Sequence, residues 1–200
     1  MKNFLSVLFF HLLFLNVFAS ENTNEISDVV WNAGWHVAVG NKIYSQVDDQ
    51  WKAIETAPGK IGSFIWKTGW HISIEDTIFS KAGNKWKKVA VAPGIITGFA
   101  WNKGWHVCVG NTIYSRDGKK WKEIVVAPEE ITDIIWTGGW SISMGDAIYS
   151  KVGTKWQKMS EAPGTINGLV WTIGWSACVG DKIYSIVRGE WEERVVFRLE

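Results

Sequence analysis

The chain is 200 residues long, 46% hydrophobic and 20% charged, with 21 Lys and Arg against 20 Asp and Glu. That length supports one sizeable core. A formal net charge of +1 gives no long-range attraction to nucleic acid or an anionic membrane, so neither is an expected partner.

The opening carries Lys2, an almost wholly apolar run at residues 4–15, and Val17 and Ala19 as small or medium residues before a cut. This pattern predicts a secretory signal peptide over residues 1–19, cleaved near Ala19. The run is too short and wrongly flanked for a transmembrane helix, and no second apolar run follows. The mature chain is therefore expected to be secreted, without membrane insertion. Residues 20–25 form a polar lead-in.

From residue 26 onward the sequence repeats. The segment 101–115 recurs at Trp31, Trp66, Trp136 and Trp171, so the period is 35 residues throughout. All 15 tryptophans fall into three columns: Trp31/66/101/136/171, Trp35/70/105/140/175 and Trp51/86/121/156/191. A fixed period in this range marks a repeat architecture.

Within each repeat four short strands are predicted. The first, such as 96–101, is apolar on both faces and suggests a strand covered on both sides. The second, such as 105–109, alternates and ends on a Gly-Asn or Gly-Asp pair (at Gly40, Gly110, Gly145 and Gly180), a strong hairpin signal. Repeat two has Glu75 and Asp76 there, and a different turn is expected. The third strand is Ile-Tyr-Ser, with Phe79 in repeat two, and the fourth opens on the third tryptophan. An Ala-Pro pair then leads into the next repeat, where a residue without a donor amide suits a linker.

Five complete four-stranded units predict an all-β, five-bladed β-propeller in one domain, residues 26–200. The blades are expected at about 26–57, 61–92, 96–127, 131–162 and 166–200. A linear solenoid is the runner-up, but it needs atypical polar caps, and repeats one and five are as Trp-rich as the others. Another phasing would make residues 26–31 the outer strand of the last blade. After residue 196 the Ala-Pro linker is missing.

The segment 115–121 resembles a shortened Asp-box, the Ser-x-Asp-x-Gly-x-x-Trp turn of sialidase-type propellers, with one residue missing between Asp117 and Gly118. Other repeats are more degenerate, and catalysis does not carry over with the motif. Sialidases clamp a substrate carboxylate with an arginine cluster, whereas the mature arginines here are Arg116, Arg188, Arg194 and Arg198, three of them in the last repeat. Over residues 26–196 the layout is also similar to tectonin-type repeats of secreted propeller lectins. These resemblances imply sugar binding, with glycans or glycoproteins as partners.

Following the strands places all three Trp columns at one end of each blade. The plain reading is an aromatic layer that welds blades together, each ring burying roughly 150–250 Å². The functional reading leaves one column partly exposed to stack on sugar rings. The second column is the candidate, because Trp35, Trp70, Trp105, Trp140 and Trp175 are followed by His36, His71, His106, Ser141 and Ser176, which can donate to hydroxyls. A second candidate surface is the turn column at the opposite end: Asn41, Asp76, Asn111, Asp146 and Asp181.

A metal site is not expected from the His column. Neighbouring blades pack roughly 10 Å apart, whereas zinc needs nitrogens at about 2.0–2.1 Å. Cys108 and Cys178 share a column two repeats apart, beyond disulfide reach, and read as buried thiols. No acid, base or nucleophile stands apart from the repeat, so neither catalysis nor a cofactor is expected. The sequence thus predicts a multivalent, lectin-like binding propeller. A secreted protein-interaction scaffold is the alternative, and a glycosidase-like enzyme the third reading.

Overall fold

The computed structural model describes residues 24–199, and every element among them is a strand. The expected signal peptide and most of the lead-in lie outside the described residues. Blade 1 comprises β1 (Asp28–Trp31), β2 (Trp35–Val39), β3 (Lys42–Val47) and β4 (Gln50–Thr56). Blade 2 follows with β5 (Phe64–Trp66), β6 (Trp70–Ile74), β7 (Thr77–Ala82) and β8 (Lys85–Val91). Blade 3 holds β9 (Gly98–Trp101), β10 (Trp105–Val109), β11 (Thr112–Asp117) and β12 (Lys120–Val126). Blade 4 holds β13 (Asp133–Trp136), β14 (Trp140–Met144), β15 (Ala147–Val152) and β16 (Lys155–Glu161). Blade 5 holds β17 (Gly168–Trp171), β18 (Trp175–Val179), β19 (Lys182–Val187) and β20 (Glu190–Val196).

Each blade is a separate antiparallel meander in chain order. The first strands touch one another in sequence, and β17 touches β1, so the ring closes around them. This is a five-bladed β-propeller, with first strands innermost and fourth strands on the rim. No strand is exchanged between blades, which rejects the alternative phasing.

The turns follow their residues. Gly40, Gly110, Gly145 and Gly180 adopt φ between 58° and 62°, as a two-residue hairpin requires. Blade 2 does not differ, contrary to the sequence expectation. Ile74 pairs with Thr77 across the same two-residue loop, and Glu75 is held at φ 52° without a glycine. The Asp-box-like segment forms an equally plain turn, with Asp117 paired to Lys120 around Gly118 and Lys119. Between third and fourth strands every blade carries a β-bulge at one equivalent place, beside Tyr44, Phe79, Tyr114, Tyr149 and Tyr184. The extra residues are Ile54, Val89, Ile124, Met159 and Arg194.

The core is five separate apolar clusters, each at the junction of two blades. Four junctions are covalently spanned by the Ala-Pro linkers. There the amide of Ala57 donates to Asn41 O and that of Ile61 to Gly40 O, both at 2.8 Å. The fifth junction repeats this pattern without a linker. Phe197 N donates to Asp181 O at 2.7 Å, and Ile26 N to Gly180 O at 2.9 Å. Phe197 occupies the Ala57 column but is fully buried, with its ring centroid 5.0 Å from Tyr44 and 5.4 Å from Trp51. A large aromatic side chain takes over the closure that the chain itself provides elsewhere.

One equivalent position on the inner strands reads Asp28, Ser63, Gly98, Asp133, Gly168 around the ring. Both carboxylates are buried. Asp28 Oδ2 accepts from Ser63 Oγ and Phe64 N, each at 2.7 Å, and Asp133 Oδ2 accepts from Leu169 N at 2.7 Å. A Cβ on Gly98 would collide with Asp133, and one on Gly168 with Asp28, so the glycines make room for the acids. Burial raises Asp28 to about 7, against its hydrogen bonds. Burial first, then the charge of Asp28 across the axis, holds Asp133 well above the usual carboxylate range. Cys108 and Cys178 are free and buried beside these acids, and burial pushes both thiols up, leaving them unreactive.

Two predictions follow from this architecture. Glu75→Gly relieves left-handed backbone strain and is expected to stabilise by about 1 kcal/mol, read as a higher urea midpoint at unchanged slope. An unchanged or lower midpoint would reject strain at this turn. The raised carboxylates favour folding in their protonated forms, so their contribution is complete in acid and is lost as pH rises through the folded values. The stability difference between wild type and Asp133→Asn is therefore expected to shift in favour of the variant between about pH 4 and 8. A pH-independent difference would show that the pair is not protonated in the fold.

Candidate ligand-binding site

The three tryptophan columns gather at one end of the blades, as the strand register requires: Trp31 pairs with Trp35, and Trp51 lies opposite Gln46. Their environments differ. The third column is a seam. Trp51 Nε1 donates to Val196 O at 3.1 Å, Trp86 to Thr56 O at 2.8 Å, Trp121 to Val91 O at 2.5 Å and Trp156 to Val126 O at 3.4 Å. Trp191 reaches Ser160 Oγ at 3.1 Å. Each indole thus fastens its blade to the rim strand of the preceding one.

The second column, the sequence candidate, is packed beneath the first. Trp70 and Trp105 are buried, and Trp35, Trp140 and Trp175 half-buried. Each stands edge-on to its first-column partner, with centroids 4.6–4.7 Å apart. The first column is the exposed one, at 46% for Trp31, 44% for Trp66, 40% for Trp136 and 47% for Trp171. Trp101 is covered by Lys67 Nζ, 3.1 Å from its ring centroid.

The histidines join blades. His36 Nε2 donates to Asn32 O at 3.1 Å, His71 to Lys67 O at 3.0 Å and His106 to Asn102 O at 3.1 Å. Each ring then stands edge-on to the next blade's second-column indole, His36 on Trp70, His71 on Trp105 and His106 on Trp140, with centroids 4.6–4.9 Å apart. Burial lowers all three below the ordinary histidine value, which keeps them neutral.

Blades 4 and 5 carry Ser141 and Ser176 instead, and these bond Ser150 Oγ at 2.8 Å and Ser185 Oγ at 2.7 Å. Trp175 and Trp35 consequently receive no imidazole. At the junction of blades 5 and 1 the vacated volume becomes a cleft of about 590 Å³. Its walls are Trp31, Trp35, Trp171 and Trp175, its polar residues Thr172, Ser176, Ser185 and Arg194, and no carboxylate lines it. Residues that depart from their columns converge there. Arg194 is the bulged residue where other blades have Ile54, Val89, Ile124 and Met159, and a bulge re-aims a side chain. Ile186 replaces Gln46, Lys81, Arg116 and Lys151, of which Lys81 and Lys151 lie over Trp86 and Trp156. Ile173 is fully exposed where the others are Ala33, Thr68, Lys103 and Gly138. Sequence reading by columns missed these three residues, although their divergence from the repeat was visible.

The turn column is tied into the connections between blades. The backbone carbonyls of Asn41, Asp76, Asn111, Asp146 and Asp181 accept the linker amides or that of Phe197. Asp76 also accepts from Thr77 Oγ1, and Asn111 Nδ2 donates to Ala127 O. Only Asn41 of the five borders the cavity of about 700 Å³ at that mouth of the channel. Ser27, Thr97, Thr132 and Asn167, which line that cavity, are committed to internal partners. Among the described residues no group of three or more His, Cys, Asp or Glu side chains could hold a metal, and no helix is long and apolar enough to cross a membrane.

Comparison with known proteins adds the fold alone. No family model and no curated protein sequence matches the chain. Solved structures resemble it at low identity. An extracellular domain assigned to a hybrid two-component system of B. thetaiotaomicron superposes with TM-score 0.52 and 10% identity, over 89% of this chain and 28% of that one. The Pan2 WD40 domain of Neurospora crassa gives TM-score 0.50 and 9% identity, over 86% and 66%. The chain spans less than a third of the length of the first of these. All-β propeller architecture is what they share.

Restoring the repeat tests how the cleft arises. In Ser176→His the new Nε2–H can reach the Thr172 carbonyl and the ring can stand against Trp35. The variant is expected to gain about 0.5–1.5 kcal/mol, with blue-shifted tryptophan emission as Trp35 loses water. A lower melting temperature or a red shift would contradict this origin.

Proposed function

We propose that the protein is a secreted, non-catalytic, lectin-like propeller whose principal saccharide site is the cleft between blades 5 and 1. The cleft itself carries the reading. Flat indole faces, adjacent hydroxyls and one cation in a concavity of about 590 Å³ suit one or two sugar rings, and the volume falls in the range typical of small-ligand sites. Indole faces, hydroxyls and a guanidinium are groups that bind and orient a ligand, which supports the non-catalytic reading. Trp66 and Trp136, exposed on the same end, offer shallower stacking positions, so clustered glycans would gain avidity from weak contacts around the rim. The five blades therefore contribute unequally: one built site and subsidiary ones.

A second reading rests on Ile173. A fully exposed isoleucine beside exposed Trp171 makes an apolar edge from a non-repeated residue, as a protein-binding scaffold would.

The test is a glycan array with recombinant residues 20–200, followed by titration of tryptophan fluorescence. Binding at millimolar sugar or better is expected, with Trp171→Ala weakening it about 10-fold. No glycan bound at that concentration would overturn the lectin reading, and capture of a defined protein through Ile173 would replace it.

A further inference from the structure

Charge is distributed unevenly around the ring. Blades 2 and 3, residues 58–127, carry eleven Lys and Arg against four Asp and Glu, while the remaining described residues carry nine against fourteen. The excess concentrates on the rim. The outer strands β8 and β12 present Lys85, Lys87, Lys88, Lys120 and Lys122, all exposed, against one exposed carboxylate, Glu123. At the same repeat positions the outer strand of blade 5 presents Glu190, Glu192 and Glu193, also exposed.

Exposed sheet edges need charge to resist edge-to-edge pairing, and lysine is a common guard. That requirement is indifferent to sign, since glutamate serves it on β20. It therefore does not account for the sorting of lysines to one side and glutamates to another. Nor do local ion pairs. Among the described residues, four ion pairs form; two hold the blade 5 glutamates, Glu193 with Lys182 and Glu192 with Arg194, and none involves these five lysines.

We infer that the rim of blades 2 and 3 is a docking surface for a linear anionic polysaccharide. Alternate residues on a strand lie about 7 Å apart, so Lys85 and Lys87, and Lys120 and Lys122, form rows of regularly spaced cations. A rim of this kind has no enclosure for a small anion and suits an extended chain of charges. Trp86 and Trp121, the aromatics on these strands, are half-buried with their indole N–H groups bonded to the preceding blade. They are not free to stack on nucleobases or to anchor in a membrane interface. The acidic rim of blade 5 repels the same polymer and sets the orientation. In ring order the junction of blades 5 and 1 lies opposite blade 3, so docking leaves the Trp-lined cleft facing away. This inference rests on charge alone and stands whether or not the cleft takes a saccharide.

The experiment uses immobilised heparin and a carboxylate-only polyuronate, with the full mature chain eluted by salt. Wild type is expected to be retained and to elute with increasing NaCl, as screening requires. Lys87→Glu/Lys88→Glu/Lys120→Glu/Lys122→Glu is expected to bind roughly 10-fold or more weakly, while Lys151→Glu/Lys155→Glu in blade 4 stays near wild type. Thermal melts of both variants confirm folding. Retention on both matrices identifies charge as sufficient, and retention on heparin alone identifies sulfate as the recognised group. Lack of retention on either matrix, equal loss in both variants, or tighter binding to duplex DNA or phosphatidylserine vesicles would overturn the proposal.

Discussion

Each blade of this ring is tied to its predecessor by one indole N–H, donated from the start of a rim strand to the end of the neighbouring rim strand. The last of these bonds, Trp51 to Val196, is made between residues 145 apart in sequence and closes the circle. Hydrogen bonds of this kind are modest singly, about 0.5–1.5 kcal/mol net. Their position matters more, because each also buries a large aromatic surface against an apolar inter-blade cluster. Below the rim, His36, His71 and His106 repeat the device, bonding within their own blade and standing against the next. The fold therefore consists of self-sufficient meanders and the aromatic joints between them.

That division explains what could be read from the chain. The period, the Gly-Asn turns and the third tryptophan column are each set by one residue type at one place, so blade number, hairpins and the shared end of the aromatics were all legible. The axial acids were not. Asp28, Ser63, Gly98, Asp133 and Gly168 look like noise in a column, because the pattern reflects packing between residues of different blades. Glu75 shows the opposite limit: a turn with the wrong residue still forms, since the strands on either side dictate its register. The exposure ranking of the tryptophans also escaped the sequence, because it depends on the second-column rings packing beneath the first and on Lys67 covering Trp101.

Symmetry serves the scaffold here, and departures from it shape the cleft between blades 5 and 1. Three junctions are filled by imidazole, and the junction of blades 5 and 1 combines a serine, a bulged arginine and two isoleucines where the repeat has other residues. It is also the junction that lacks a covalent linker, held instead by Phe197. Four exposed or half-exposed indoles border a concavity there, Trp31, Trp35, Trp171 and Trp175. A ligand that reads shape will therefore distinguish this junction from the others.

The indole Nε1–H resonances of the 15 tryptophans report each junction separately. In a saccharide titration followed by two-dimensional NMR, the shifts should be largest for Trp31, Trp35, Trp171 and Trp175, with smaller changes at Trp66 and Trp136. Equal shifts in all five blades, or shifts confined to the other junctions, would contradict a site built where the repeat breaks.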